Sequence, residues 1–249
     1  MNKTRLLVVP LALLLLAALA CGSISPEQVV QTVVVTQEVM NDVVVTATPE
    51  PPPPPPQPIF TEDFESGAGD WSVGATDTSA ATVENGQLII NVLQENWVRS
   101  VGHPALDRLS TYAIDFDMTY VSGAEDSEGG LAFRCETDDP SSEWLELSFA
   151  QDGYVTMAAI PVDDTADVTY PITFTSIDLL NTGQATNHIR VIDDNRSVTI
   201  YVNGELLALE PYDNSDPGCP AMLAGTFDGG PGTWAFDNVA VYNIADINP

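Results

Sequence analysis

Residues 187–210 constrain the fold of this chain more than any other stretch. Residues 189–192 have the composition of a β-strand, and the Asp-Asp-Asn at 193–195 suits a tight reversal. Residues 197–202 form a second, alternating segment, and the Asn-Gly at 203–204 tolerates the positive φ of a two-residue hairpin turn. Three antiparallel strands in succession leave no room for a helix between them. The sequence therefore predicts an all-β fold.

The same stretch predicts a register. With a turn at 203–204, Ile200 and Val202 point into the core and Tyr201 points outward, because the side chains of a strand alternate strictly. A period of two recurs along the rest of the chain, with few helical segments. The alternating segments lie at 88–92, 112–120, 131–135, 145–149, 154–160 and 234–242. One apolar face on strand after strand predicts two packed antiparallel sheets, a β-sandwich.

Residues 1–20 have the features of an export signal. Lys3 and Arg5 give a positive start, and the uncharged apolar run of about 15 residues that follows is short for a membrane span. The Ala-Leu-Ala-Cys-Gly at 18–22 resembles the lipobox of bacterial lipoproteins. This resemblance implies lipidation of Cys21 and a lipid anchor on the extracytoplasmic face of a bacterial membrane. An ordinary secretory signal is the alternative, and it also exports the chain.

Residues 21–58 differ abruptly in composition from the rest of the chain. Val-Val-Val-Thr occurs at 33–36 and again at 43–46, and an unbroken proline run occupies 51–56. Proline cannot donate a backbone hydrogen bond and favours the extended polyproline II conformation. We interpret this segment as a disordered stalk that holds a β-sandwich domain, residues 59–249, away from the membrane.

The charge of the chain limits its partners. The formal net charge is −29, and it becomes −31 when Lys3 and Arg5 leave with the signal. Such a surface repels the phosphates of nucleic acids and attracts cations. The sequence therefore argues against nucleic-acid binding.

Two cysteines remain in the predicted mature protein besides Cys21. In an exported protein, an even pair such as Cys135 and Cys219 predicts a disulfide. Two separate buried thiols are the alternative.

Several short motifs occur in an order that resembles a known fold. They are Phe-Thr-Glu-Asp-Phe-Glu at 60–65, Asp-Trp at 70–71, Leu-Ala-Phe-Arg at 131–134, Trp-Leu-Glu-Leu at 144–147, Val-Thr-Ile-Tyr-Val-Asn-Gly at 198–204 and Phe-Asp-Asn-Val at 236–239. Together they resemble the concanavalin A-like jelly rolls of laminin-G-like domains and of family 16 glycoside-hydrolase-like domains. The resemblance covers nearly all of residues 59–243. A galactose-binding-like jelly roll, which shares the opening and closing motifs, is the alternative.

The catalytic pattern of the hydrolases in this group is absent from the sequence. They carry their carboxylates on one strand as E-x-D-x-x-E or E-x-D-x-E, and neither pattern occurs here. Glu143 and Glu146 are three residues apart and face opposite sides of a regular strand, whereas Asp115 and Asp117 share a face that suits solvent. The sequence thus predicts a non-catalytic module. An atypical glycoside hydrolase with carboxylates from different strands is an alternative.

The predicted ligand surface is centred on Trp144. This ring lies in the outward phase of its strand together with Glu146, and such a ring can stack on a sugar while nearby polar groups bind its hydroxyls. Arg134, Tyr154 and Tyr201 are also outward by alternation and complete the predicted carbohydrate site. A loop that covers Trp144 is the alternative.

Calcium is the other candidate ligand. Some jelly-roll relatives hold Ca²⁺ near their joined terminal strands, which here would bring together Asp63, Glu65 and Asp237. Calcium prefers more oxygen ligands than these three residues supply.

The function predicted from the sequence is that of a lipid-anchored surface protein whose jelly roll binds glycans or cell-wall polysaccharide. An interaction module that contacts other proteins of the cell envelope is the alternative. The sequence names no particular sugar.

Overall fold

The computed structural model of this chain describes residues 56–134, 143–163, 165–212, 217–226 and 230–244. Within these ranges the chain forms fifteen β-strands and one short 3₁₀ helix at Pro104–Leu106. No helix in the described ranges is long and apolar enough to cross a membrane. The predicted signal, Cys21 and nearly all of the predicted stalk lie outside the described residues.

Nine strands form the larger sheet. They are β1 Phe60–Glu62, β2 Gly74–Ala75, β3 Ser79–Glu84, β4 Gln87–Val92, β6 Tyr112–Gly123, β11 Asn187–Asp193, β12 Ser197–Val202, β13 Glu205–Pro211 and β15 Gly232–Asn243. Eight of them follow the order β13-β12-β11-β6-β15-β4-β3-β2, and β1 pairs with the part of β15 that β4 does not reach.

Six strands form the second sheet. They are β5 Trp97–Gly102, β7 Glu128–Ala132, β8 Glu143–Ala150, β9 Tyr154–Pro161, β10 Thr169–Ser176 and β14 Ala221–Thr226. Their order is β10-β9-β8-β7-β14-β5, and the pairings are antiparallel in both sheets. The predicted two-sheet antiparallel sandwich is confirmed.

The hairpin predicted from Asn203 and Gly204 is present. These two residues join β12 to β13 and have φ values of 52° and 84°. Positive φ at both positions is what a type I′ turn requires, and it matches the twist of the two strands. Ile200 and Val202 are fully buried, whereas Tyr201 on the other face is partly exposed. The predicted register is therefore confirmed.

The core lies between the two sheets and fixes the phase of each strand. At its centre β6 and β8 contribute side chains with at most 1% of their surface exposed: Ile114, Phe116, Met118, Leu145, Leu147 and Phe149. Burying one such side chain stabilises the fold by about 1.5–3 kcal/mol, so a shift of β8 by one residue would lose several such contributions. The even-numbered residues of β8 consequently face away from the core.

Candidate functional site

On the six-stranded sheet, the face that points away from the core carries mainly small side chains. Directly opposed residues of an antiparallel pair point to the same side of the sheet. The register aligns two rows on this outer face, Gly130–Ser148–Thr156 and Ala221–Ala132–Glu146–Ala158. These side chains are small, but Ala132, Ser148, Thr156 and Ala158 are at most 9% exposed, so most of this face is covered.

An open groove with a volume of about 420 Å³ lies over one end of this outer face. Ala132 and Ala221 form part of its floor, and Trp144 forms part of its wall. His103 and Asp107, which flank the 3₁₀ helix, line it on another side. The groove thus brings an indole, an imidazole and a carboxylate around an apolar floor.

Trp144 is placed on the face that strand alternation predicts. It is partly exposed, whereas the next residue, Leu145, is completely buried in the core. Glu146 follows on the same face as Trp144, about 7 Å further along the strand. A ligand in the groove can therefore contact the ring, and the buried carboxyl group of Glu146 lies next to the groove rather than in its wall.

Two buried carboxyl groups occupy this outer face. Glu128 on β7 is 4% exposed and Glu146 on β8 is 7% exposed. Burial raises the pKa of Glu128 from 4.5 to about 8; repulsion by Glu146 adds to the rise, and a hydrogen bond with Ser148 opposes it. Burial also raises the pKa of Glu146 from 4.5 to about 7. The pair therefore retains a proton near neutral pH, a property that often marks functional carboxyl groups.

Glu146 also contains an orphaned polar atom. Its Oε1 atom is buried, and no hydrogen-bond partner reaches it in the structure as described. A buried oxygen of this kind usually has a protein or water partner, because leaving it unpaired costs about 1–3 kcal/mol. Glu146 is thus the group on this face that most clearly requires a partner.

The sequence prediction omitted Glu128. The sequence does indicate that Glu128 points outward, because Leu131 faces the core and the two residues are an odd number of positions apart. The sequence could not predict that Glu128 shares a face with Glu146, because that arrangement depends on the pairing of Ala132 with Glu146 across β7 and β8.

The prediction that Arg134 belongs to the ligand surface is wrong. Arg134 borders the groove, but its side chain has no exposed surface. Its Nη2 atom lies 2.6 Å from Oδ1 of Asp193, which is equally buried, and its Nη1 donates a hydrogen bond to Oδ1 of Asn195 at 3.1 Å. Burial raises the pKa of Asp193, and the charge of Arg134 opposes that rise. Arg134 therefore joins the end of β7 to the turn after β11, linking the two sheets.

Tyr154 lies on the same outer face as Trp144 but far from it. The partner of Trp144 on β9 is Ile160, six residues from Tyr154, which corresponds to about 20 Å. The Tyr154 ring stacks on Phe174 of β10, with 4.5 Å between centroids and 5° between planes. The structure thus does not bring Tyr154 into the groove that Trp144 lines.

The prediction that Tyr201 shares this surface is also wrong. Tyr201 lies on β12 of the nine-stranded sheet, where its partner is Arg190. Arg190 donates two hydrogen bonds to Asp115, at 2.6 and 2.7 Å. Alternation along a single strand shows that Tyr201 points outward, but it does not show from which of the two sheets.

The calcium candidates come close together without forming a metal centre. Burial raises the pKa of Asp237, and the charges of Asp117, Asp63 and Glu65 add to the rise, while the backbone N–H of Asn238 opposes it. Across the described ranges, no group of three or more His, Cys, Asp or Glu side chains is arranged to hold a metal ion. The structure therefore gives no support for calcium bound by Asp63, Glu65 and Asp237.

Of the two cysteines in the predicted disulfide, only Cys219 lies within the described residues. Cys219 lies in the wall of the groove, together with Arg134. Cys135, the residue after Arg134, lies outside the described residues. The Cys135–Cys219 bond stays a prediction.

The folded domain is similar to solved structures of carbohydrate-active proteins. One is an endo-acting O-glycanase expressed by members of the human gut microbiota (TM-score 0.56, 11% identity, 75% of this chain and 99% of that chain). Another is the catalytic domain of a laminarinase, an endo-1,3-β-glucanase, from Thermotoga petrophila (0.55, 13%, 76% and 98%). A third is the carbohydrate-binding module CBM66 from Bacillus subtilis (0.51, 15%, 70% and 96%). The domain is a concanavalin A-like jelly roll.

The fold resemblance predicted from the sequence motifs is thereby confirmed. By sequence, no protein family and no curated protein matches the chain. Because one fold supports many functions, the function of this jelly roll has to be argued from its own site.

Proposed function

We propose that this jelly roll binds glycans on the outer face of its six-stranded sheet, without cleaving them. The observation that carries the proposal is Trp144, a partly exposed ring in the wall of a groove floored by Ala132 and Ala221. Such a ring can stack on the apolar face of a pyranose, and the small floor residues allow a sugar chain to lie against the sheet. The carboxyl group of Glu146 follows on the same face, where it can bind polar substituents of the sugar.

Trp144→Ala is expected to weaken glycan binding by about tenfold or more, since the main stacking surface is removed. A glycan array probed with the full chain in detergent identifies the ligand, and calorimetry then compares the variants. Tyr201→Ala is the matched control, because it removes an aromatic ring from the other sheet and should leave binding unchanged. Full affinity in Trp144→Ala would contradict the proposal. A silent array would favour the alternative, a module that contacts envelope proteins.

The two buried glutamates favour a second candidate function, hydrolysis of a glycosidic bond. A glycosidase needs one carboxyl group that holds a proton for the leaving oxygen and a second that activates water or attacks the sugar. The pKa of about 8 suits Glu128 to the first role, and the lower pKa of about 7 suits Glu146 to the second. Chromatography of the bound glycan after incubation distinguishes the candidates. Products formed by the native chain and not by Glu128→Gln would establish hydrolysis, whereas an intact glycan supports binding alone.

We further propose that the domain is exported and anchored through lipid on Cys21, on the basis of the signal and lipobox in residues 1–22. Metabolic labelling with a fatty-acid analogue should tag the full-length protein in cells. Cys21→Ser should abolish the tag, because the thioether to the lipid forms at this sulfur. A labelled Cys21→Ser protein would overturn the anchor.

A further inference from the structure

Among the described residues that the strand register aligns around Glu128 and Glu146, none is positively charged. The residues aligned around it on β7, β9 and β14 are Gly130, Ala132, Thr156, Ala158, Leu223 and Gly225. Arg134, which follows β7, is bound to Asp193. A buried carboxylate normally has a cation or several hydrogen-bond donors, because burying an unpaired charge is costly. Glu128 is instead subject to the charge of Glu146, in a chain that is already strongly acidic.

Two residues that line the groove are direct neighbours of Glu146, the less buried of the two glutamates. Trp144 precedes Glu146 by two residues on the same face, and Ala132 lies directly opposite Glu146 on β7. Both Trp144 and Ala132 line the groove. The unpartnered Oε1 of Glu146 is thus flanked by groove residues along its own strand and across the sheet.

We propose that this site selects a sugar with a free primary amine, a de-N-acetylated amino sugar, whose ammonium group pairs with Glu146. The inference rests on the proposed glycan binding and names the class of sugar bound. A sugar ring stacked on Trp144 lies about 7 Å along the strand from Glu146. An amine attached directly to a carbon of the sugar ring can span this distance to the Glu146 carboxyl group. The ammonium donates to the orphaned oxygen and neutralises the pair, and such charge-assisted hydrogen bonds are roughly twice as strong as neutral ones.

Other sugar classes satisfy the site less well. A neutral sugar with hydroxyl or acetamido groups can form a hydrogen bond, but it leaves the negative charge of the pair uncompensated. An acidic sugar adds a negative charge next to Glu146, whose own charge already raises the pKa of Glu128.

The test compares two ligands that differ only in the amine. Glucosamine tetrasaccharide and the N-acetylglucosamine tetrasaccharide of the same linkage are titrated into the full chain by calorimetry near neutral pH. Salt at about 0.15 M limits attraction by the general acidic surface, because it screens charges beyond about 8 Å. The variants are Glu146→Gln, which keeps the shape and removes the charge, and Glu205→Gln, which makes the same change at an exposed position on the nine-stranded sheet. Thermal melts verify that both variants are folded.

The native chain is expected to bind the amine form at least about tenfold more tightly than the acetylated form. Glu146→Gln should bring this ratio close to one, and Glu205→Gln should leave it unchanged. Equal binding of the two ligands by the native chain would overturn the inference while leaving the proposed glycan binding intact. A preference that persists in Glu146→Gln would overturn it as well, since the general acidic surface would then be the cause. Binding of neither ligand also overturns the inference, and the glycan array then decides independently whether glycan binding survives.

Discussion

Arg134→Ala is expected to lower the free energy of unfolding of the jelly roll by about 3–5 kcal/mol. The side chains of Arg134 and Asp193 have no exposed surface and are joined by a contact of 2.6 Å. Removing the guanidinium leaves the Asp193 carboxyl group buried without its positive partner and leaves Asn195 without the hydrogen bond it accepts. The variant also loses a direct link between β7 of one sheet and the turn after β11 of the other.

Urea unfolding of the full chain, followed by tryptophan fluorescence, measures this loss. Arg190→Ala is the matched control, because it removes the same group from an ion pair of the same length with Asp115, in which the arginine side chain is 36% exposed. Partly exposed pairs of this kind contribute about 0–1 kcal/mol. If Arg134→Ala lowers the free energy of unfolding no more than Arg190→Ala does, the buried pair does not hold the two sheets together.

Glu128→Gln is expected to stabilise the domain at alkaline pH, by about 3–5 kcal/mol at pH 9, and to change little near pH 5. The pKa of Glu128 rises from 4.5 to about 8 on folding, so the folded state binds more protons than the unfolded state between those values. Stability therefore falls as the pH rises through this range, and one pKa unit corresponds to about 1.4 kcal/mol. A glutamine in this position has no proton to lose. The pKa of about 7 for Glu146 acts in the same direction, so some pH dependence should remain in the variant.

Urea unfolding between about pH 5 and pH 9 measures this effect. Asp77→Asn serves as the control, because it removes one negative charge from an exposed position and so reproduces any gain from lower net charge alone. The native chain should lose stability towards pH 9 more steeply than Glu128→Gln. Parallel stability curves for the two proteins would show that Glu128 is not buried with its proton in the folded state.

The strands of the domain could largely be predicted from local sequence. Asn203 and Gly204 required a two-residue turn, and the alternation on either side of it determined that Ile200 and Val202 are buried. Both properties depend on residues within a few positions of one another. The resemblance to concanavalin A-like jelly rolls rests on the order of motifs spread over nearly the whole domain. It added the prediction of how the strands are arranged in two sheets.

The site could be predicted only in part. Trp144 and Glu146 are on the outer face where alternation placed them, and Trp144 lines an open groove. Arg134 was also outward by alternation, but the chain beyond β7 turns its side chain into a buried contact with Asp193. The prediction that the Tyr201 side chain points away from the core was correct, but Tyr201 belongs to the other sheet. Alternation assigns a side of one strand, and it contains no information about the element that packs there.

The sequence by itself determined the all-β class, the turn at 203–204 and the inward or outward phase of β8 and β12, because these follow from backbone conformation and from the period of a single strand. Tertiary structure alone decided that Glu128 and Glu146 share one face and that Arg134 forms a buried ion pair with Asp193 of the other sheet. Those outcomes depend on the pairing of β7 with β8 and with β14, whose residues lie far apart in the chain. Burial then changed the chemistry of the paired groups, because desolvation acts on a carboxyl group only once the fold has removed it from water.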